Sequence, residues 1–352
     1  MKIIIYKKFK DISNSEEFSL SIPVFASQQY ADYLKVQKNY NTIWISGINN
    51  NGSSYFIPFA TMKKGPFRKG MFLTAVISKG IKEVLDKEKE FLDKVVDLVK
   101  SNKLCDWIQQ GPNWAIFNTY PSGAIYAPFG TYRINMEDKT EEELYMKLYG
   151  KVRSRINKTT REKLIEIKKN EENFDDSIQL IDSTLRSAKI ESFTKNKLNT
   201  IRKHLKDNVV VYTTYSNNEP QSSLIYFYNQ YSMYGMYAGS KRGAVQGATE
   251  SLIWQAIKEA KKKKIKYFDF VGARINPDEN SKLYRIQKNK YHFGSQLKEG
   301  YMWKMVLNRP KYFLYTFYVR TLNLLRGKKN KGDIIDQETE RLGMKNSIFF
   351  PN

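Results

Sequence analysis

Residues 225–294 constrain the fold more than any other part of the chain. Two aromatic-rich runs, residues 223–228 and 231–237, flank a two-residue polar turn, which is typical of a β-hairpin. A glycine-containing loop follows, and apolar residues then recur with helical spacing through residues 253–260. Residues 265–271 form a short apolar run that ends at a glycine. The order of hairpin, loop, helix and strand predicts an α/β unit with a mixed sheet.

Short motifs in this order have counterparts in one known family. Residues 267–272 (YFDFVG) resemble a "yfDfgG" strand, and residues 290–294 (KYHFG) resemble a terminal "FK..FG" element. Upstream, residues 23–30 resemble a "p.f.s..w" segment and residues 150–156 a "k.R..IrkA.k" helix. The chain therefore resembles the FemAB family, GNAT-fold aminoacyltransferases that build peptidoglycan interpeptide bridges, and their FemAB-like acyltransferase relatives.

The resemblance implies an α/β (α+β) fold made of two GNAT-like acyltransferase halves, each with a mixed central sheet flanked by helices. A length of 352 residues agrees with about two domains. We expect an N-terminal half at residues 1–145 and a C-terminal half that holds the transfer site at residues 146–310. Residues 311–352 are predicted to form a basic aromatic helix and a polar tail.

The composition excludes several other kinds of protein. Hydrophobic residues make up 41% of the chain, as in globular proteins. Cys105 is the single cysteine and there are two histidines, so an internal disulfide framework is excluded and no metal site is predicted. The sequence contains no signal-peptide pattern and no apolar run near the roughly 20 residues needed to span a bilayer. These features predict a cytoplasmic protein.

The formal net charge of +23 predicts a polyanionic partner. With the family resemblance, the expected partners are tRNA and a lipid-linked or nucleotide-linked cell-envelope precursor. Thr140, followed by three glutamates, predicts the start of a long helix. The basic residues of this helix are predicted to bind phosphates of tRNA or of a lipid-linked pyrophosphate, the alternative being a solvated face. They are Arg153, Arg155, Lys158 and Arg161.

Residues 300–332 contain eight Lys or Arg, seven aromatic residues and no acidic residue. The apolar positions that share one face of a predicted helix here are Leu314, Phe317, Tyr318, Thr321, Leu324 and Leu325. Such a helix can lie in a membrane interface, which predicts peripheral contact with the inner membrane face. The alternative is a helix docked on the first half. Residues 333–352 are predicted to be a polar, loosely held tail.

Acyl transfer to an amine requires an electrophilic ester or thioester and stabilisation of a tetrahedral oxyanion. The resemblance implies that Lys290 supplies this stabilisation or binds the end of the acyl donor. The residue before it is Asn289, where the family has Phe, so Lys288 and Arg285 are alternative equivalents and further candidates for substrate binding. Asp269 is predicted either to orient the amine or to be a structural partner of a neighbouring turn.

The loop at residues 240–248 precedes the central helix, where GNAT enzymes bind a pyrophosphate. The small residues of this loop match the coenzyme A-binding loop of GNAT enzymes only in part. Its basic residues are therefore also candidates for binding a phosphate of the substrate. Tyrosines of the adjacent strand either donate hydrogen bonds to the acceptor or only pack. An aromatic ring beside the catalytic lysine is predicted to exclude water. These substrate-binding candidates are Lys241, Arg242, Tyr234, Tyr237 and Phe293.

Three hypotheses follow. The first is a FemAB-like transferase that moves an amino acid from aminoacyl-tRNA to an amine of a peptidoglycan precursor, with no bound cofactor. The second is an acyl-CoA-dependent N-acyltransferase that acts on an amino sugar of a surface polysaccharide or lipid-linked glycan. The third is a non-catalytic binder of nucleic acid or membrane surfaces. Substitution of Lys290 distinguishes the two enzymes from the binder, because a binder should lose little.

Overall fold

The structure is a computed structural model that describes residues 1–12, 22–48, 54–79, 85–170, 174–325 and 332–344. Its central feature is one long mixed β-sheet. The strands, in chain order, are β1 (Lys2–Tyr6), β2 (Asn41–Ile48), β3 (Ser54–Lys64), β4 (Phe67–Phe72), β5 (Ile77–Lys79), β6 (Trp107–Ile108), β7 (Ile125–Asn135), β8 (Glu166–Lys169), β9 (Val209–Ser216), β10 (Glu219–Tyr228), β11 (Ser232–Ser240), β12 (Tyr267–Asp269), β13 (Ala273–Arg274) and β14 (Gln296–Val306).

Helices cover both faces of this sheet. In chain order they are α1 (Gln28–Lys38), α2 (Leu85–Ser101), α3 (Glu141–Met146), α4 (Gly150–Arg161), α5 (Asp175–Ser187), α6 (Lys195–Leu205), α7 (Ala248–Lys262), α8 (Lys282–Tyr291), α9 (Arg309–Leu325) and α10 (Ile334–Arg341). In the described part of the chain, none of these helices combines the length and the apolar character that crossing a membrane requires.

The sheet joins the two parts of the chain through its last strand. Its strand order is β1-β2-β3-β4-β6-β14-β7-β12-β11-β10-β9-β8. Strand β14 is antiparallel to β7 from Gln296 to Lys304 and then to β6 at Met305 and Val306. Strand β7 lies before residue 145 but pairs with β12 and β14. The boundary at residue 145 stays a prediction, and the sheet crosses it.

Three large apolar cores hold the helices to the sheet. One lies under α2 in the N-terminal part, and a second lies between α3, α4, α7 and the C-terminal strands. The third core is shared, because Phe25 and Leu34 pack with residues from α6, β10 and β11, such as Leu205 and Phe227. The N-terminal and C-terminal parts therefore bury apolar side chains in common.

The segment after Thr140 differs from its prediction. Thr140 does cap a helix, since its Oγ1 accepts the Glu143 N–H at 3.1 Å. The predicted long helix is broken, however, into α3 and α4. Arg153 donates to the carbonyl oxygens of Met146 and Leu148, and the Tyr149 N–H donates to His292 O at 2.8 Å. These contacts satisfy the polar groups at the break.

The prediction of a loosely held tail from residue 333 is wrong for the residues that the structure describes. Helix α10 packs on β7 and β14 with Ile335 fully buried. The buried Lys304 ammonium lies 2.8 Å from Asp333 Oδ2 and 2.5 Å from Asp336 Oδ1. A buried cation needs such partners, so acidic residues that looked solvated in the sequence hold the helix in place. Residues 345–352 of the predicted tail lie outside the described residues.

Candidate active site

Two parallel strands part at the centre of the C-terminal sheet. Strands β11 and β12 pair over three positions, of which the last is Tyr234 with Asp269. Strand β12 ends there, whereas β11 continues to Ser240. A bulge between β10 and β11, at the pairs Ile225–Tyr237 and Tyr226–Gly235, bends β11 near the same point. Ligands of open α/β sheets bind where parallel strands end, so this opening is the candidate site.

The turn after β12 has an unusual backbone. Val271 and Gly272 have φ angles of 45° and 56°, both in the left-handed region. This conformation costs a β-branched residue on the order of 1–3 kcal/mol, and such strain is concentrated at functional sites. A Cβ atom at Gly272 would lie 3.2 Å from the Cβ of Asn113, so the segment between β6 and β7 packs closely on the turn.

Helix α8 brings Lys290 to this turn. The helix begins at a Ser281 cap, where the Tyr284 N–H donates to the serine Oγ at 3.0 Å. In its last turn, Lys290 Nζ donates to the carbonyl oxygens of Val271 and, at 2.7 Å, Gly272. No third acceptor contacts this ammonium among the described residues, which leaves one N–H for a ligand. Burial lowers the pKa of Lys290 to about 8, an effect that the nearby Asp269 carboxylate opposes.

Asp269 is the last residue of β12, directly before the turn. Its Oδ1 accepts hydrogen bonds from Thr131 Oγ1 at 2.5 Å and from the Val271 N–H at 2.8 Å. Burial raises the pKa of Asp269, while these two hydrogen bonds and the charges of Arg133 and Lys290 lower it. The carboxylate braces the turn through Oδ1, and none of the described residues hydrogen-bonds to Oδ2. A role of Asp269 in orienting the amine stays a prediction.

Asp269 lines a polar cavity of about 160 Å³ between the N-terminal and C-terminal parts. The residues that line the cavity with it include Thr74, Trp114, Thr131, Arg133, Tyr231, Tyr234 and Lys298. The cavity combines a carboxylate, two cations and tyrosine rings in a small volume. It can hold a small polar group such as an amine.

A larger cavity of about 450 Å³ lies at the C-terminal end of α8. The N-terminal turns of α4 and α7 border it with Lys151, Arg155, Thr249 and Glu250, and the end of α8 borders it with Asn289, His292 and Phe293. Arg155 forms an ion pair with Glu250. Two helix N-termini and the side chain of Lys151 favour an anion in this cavity. Lys290 belongs to the same helix α8 but is not among the residues that line the cavity.

The structure separates the four basic residues predicted to bind phosphate. Arg155 lines the larger cavity. Arg153 is engaged with the carbonyl oxygens at the end of α3 and has a structural role. Lys158 and Arg161 are exposed farther along α4, where Arg161 pairs with Glu162 at 2.8 Å.

The other predicted residues are divided between the site and its surroundings. Tyr234 lines the polar cavity, and its ring lies 4.7 Å from that of Phe25. The Tyr237 ring packs in the shared core, with its centroid 4.6 Å from that of Phe193. Burial there raises the pKa of Tyr237. Phe293 is buried 5.8 Å from Phe270, at the edge of the larger cavity.

Neither cavity is lined by the basic residues of the loop before α7. Lys241 pairs with Glu219 at 2.5 Å, and Arg242 is exposed. Arg285 and Lys288 are exposed on α8, where Lys288 Nζ lies 5.7 Å from the Tyr284 ring centroid. Of the three candidate cations on α8, Lys290 is therefore the one at the strained turn.

Sequence reasoning missed Trp114, Thr131 and Arg133. Trp114 donates to Leu73 O at 2.9 Å and stacks on Phe25 at 4.0 Å. The Arg133 guanidinium lies 3.9 Å from the Tyr267 ring centroid. In the sequence, Trp114 appears only as a tryptophan in a glycine-proline turn, and Thr131 and Arg133 appear only as polar residues within an aromatic strand. Neither pattern indicates that these residues line a cavity with Asp269.

Comparisons with known proteins identify the fold. No family model and no curated protein matches the chain. The crystal structure of FemX is similar over 89% of this chain and 99% of that chain, with 13% identity and a TM-score of 0.64. The chain has the FemX fold. The C-terminal domain of a protein described as a lysylphosphatidylglycerol synthetase, from Agrobacterium fabrum, is similar over 85% of this chain and 95% of that chain, with 10% identity and a TM-score of 0.50.

The likeness to FemX confirms the predicted fold class, an α/β structure with mixed sheets flanked by helices. It also confirms the FemAB-like resemblance at the level of the fold. The match extends over nearly the whole of FemX.

Proposed function

We propose that the protein is an acyltransferase that moves an amino acid from aminoacyl-tRNA to an amine of a peptidoglycan precursor. The observation that carries the proposal is the Lys290 ammonium, held at the strained turn where β11 and β12 part, with one N–H left for a ligand. A carboxylate lies across the same turn. The pair supplies a cation for a developing oxyanion and an acceptor for a proton.

The reaction forms one C–N bond and breaks one C–O bond. The acceptor amine attacks the ester carbonyl carbon of the aminoacyl group, and the carbonyl oxygen becomes the oxyanion of a tetrahedral intermediate. The free N–H of Lys290 donates to this oxyanion. Asp269 Oδ2 takes the proton that the amine loses. When the intermediate collapses, the ribose hydroxyl leaves with that proton, and the amide remains on the precursor.

The larger cavity supports a phosphate-bearing substrate. Arg155 and Lys151 bring positive charge to it, and the N-terminal turns of α4 and α7 add backbone N–H groups. A phosphate held there would lie against the last turn of α8. Because Lys290 belongs to that turn, the phosphate site and the transfer site would be coupled through one short helix.

The acyl-CoA hypothesis requires a pyrophosphate at the N-terminus of α7. Glu250 occupies the first turn of this helix and pairs with Arg155. A phosphate of either donor bound in this cavity would have to replace Glu250 as the partner of Arg155, so this helix end does not discriminate between the two donors. The labelling experiment distinguishes aminoacyl-tRNA from acyl-CoA.

The test is transfer of labelled amino acids from a pool of charged tRNAs to nucleotide-linked and lipid-linked peptidoglycan precursors, with labelled acetyl-CoA as the rival donor. We expect labelled precursor that disappears when ribonuclease is added first. Labelling from acetyl-CoA alone would replace the proposal with the glycan acyltransferase. Labelling from neither donor, together with vesicle or tRNA binding that Lys290→Met leaves intact, would favour the non-catalytic binder.

A further inference from the structure

Helix α9 has one face docked on the protein. The Tyr312 and Tyr315 rings lie 5.6 Å and 4.6 Å from the Trp107 ring, and Tyr315 also contacts Phe67 at 5.4 Å. Lys311 Nζ lies 3.3 Å from Asp106 Oδ1. The predicted docking on the N-terminal part therefore accounts for one side of the helix.

The opposite face of α9 is apolar and exposed. Its side chains range from 54% to 81% exposed and comprise Phe313, Leu314, Phe317, Tyr318, Leu324 and Leu325. At about 100° per residue they cover an arc of about 140°, and 17 residues make the helix about 26 Å long. Monomeric proteins rarely expose a continuous apolar surface of this size without a partner.

Positive charge borders this face. Arg309 is exposed beside Phe313 on the helical wheel. Arg320, next to Leu324 on the wheel, also lines the cavity between α9 and α10. The sequence continues after Leu325 with four further cations: Arg326, Lys328, Lys329 and Lys331. No acidic residue occurs from residue 300 to residue 332. A second copy of the chain would bring these like charges together, whereas an anionic surface would neutralise them.

We propose that this outer face of α9 lies in the interface of a bilayer that contains anionic lipids. The aromatic and leucine side chains enter the boundary between headgroups and acyl chains, and Arg309 contacts lipid phosphates. The tyrosines of the inner face keep the helix fixed to the sheet. The protein thus binds the membrane surface in a fixed orientation, independently of which donor and acceptor it uses.

Sedimentation with vesicles tests the proposal on the full chain. We expect binding to vesicles of phosphatidylglycerol and phosphatidylcholine, and weaker binding to pure phosphatidylcholine. The double variant Phe317→Glu and Leu324→Glu should reduce the bound fraction at least tenfold. The control Met146→Glu adds one negative charge at an exposed apolar residue of α3 and should bind like the unchanged protein.

Three results would overturn the proposal. One is failure of the unchanged protein to bind anionic vesicles. Another is equal binding of the double variant, because the net charge of +23 alone would then explain the affinity. The third is a dimer in solution that Phe317→Glu dissociates, which would assign the face to a second copy.

A dye attached at position 317 tests directly whether the outer face of α9 contacts the membrane. Cys105 is buried, and burial raises the pKa of its thiol to about 12, so an introduced cysteine can be labelled selectively. A polarity-sensitive dye on Phe317→Cys should shift to shorter wavelength when anionic vesicles are added. The same dye on Met146→Cys should not shift. An unchanged spectrum at position 317, while the protein sediments with vesicles, would contradict the proposal.

Discussion

Lys290 combines two properties that an oxyanion-stabilising group needs. Its ammonium is fixed by two backbone carbonyl oxygens, and it is withdrawn from bulk water by α8 and the strained turn. A fixed cation needs no reorganisation when negative charge develops, and low solvent exposure strengthens its field. The strain at Val271 is consistent with this role, since the same turn orients both carbonyl groups.

Replacement of Lys290 should remove most of the transfer activity. We expect Lys290→Met to lower kcat/KM at least about 100-fold, the usual loss for one oxyanion donor. Lys288→Met removes an exposed lysine from the same helix and should stay within about twofold. Thermal unfolding of both variants checks that the fold is intact. Equal losses in the two variants would show that Lys290 has no special role.

The pH dependence of the transfer rate should reflect the ionisation of Lys290. Burial lowers the pKa of Lys290 to about 8, so its charged form is lost as pH rises through that value. Because the charged form stabilises the oxyanion, the transfer rate should fall above about pH 8. Lys290→Arg keeps the charge at any pH of interest and should remove this alkaline fall, even if the maximal rate is lower. An alkaline fall that persists in Lys290→Arg would assign it to another group.

At the scale of single elements, α10 depends on a buried charge. Lys304 is almost fully buried, and its ammonium forms ion pairs with Asp333 and Asp336. The double variant Asp333→Ala and Asp336→Ala leaves this cation without them and should lower the free energy of unfolding by about 3–5 kcal/mol. Glu340→Ala, at an exposed acid of the same helix, should change it by less than about 0.5 kcal/mol. Urea denaturation measures both values, and similar values for the two would contradict the assignment.

Elements whose signals are local were predictable from the sequence. The hairpin of β10 and β11, the helix α7 and the strand β12 each follow from side-chain periodicity over a few residues. The break between α3 and α4 was not predictable, because one of its polar contacts comes from His292, more than 140 positions away. The docking of α10 likewise depends on Lys304, which belongs to a strand.

The candidate site was predictable only in part, for the same reason. Asp269 and Lys290 were singled out by motif, and they lie at one turn. Thr131, which donates to Asp269, is 138 positions earlier in the chain, and no short pattern links the two. Sequence spacing does not predict contacts between residues of distant strands that the sheet brings together.

At the scale of the whole molecule, the sheet connects the two parts of the chain. Residues 1–145 include β7, which pairs with β12 and β14 from beyond residue 145. Expressed alone, residues 1–145 should therefore fail to form a stable fold, and co-expression with residues 146–352 should restore one. Circular dichroism and proteolysis of the isolated fragment test this. A cooperatively folded fragment 1–145 would instead support an independent N-terminal domain.

The position of β14 also bears on how the protein emerges from the ribosome. Strand β6 gains its β14 neighbour only when residues 305 and 306 have been made, long after β6 itself. Until then the nascent N-terminal part has an open strand edge and an incomplete core, since Trp303 and Met305 belong to that core. Open edges of this kind invite pairing with other chains. A nascent chain that contains β6 but not yet β14 is therefore expected to bind chaperones during synthesis.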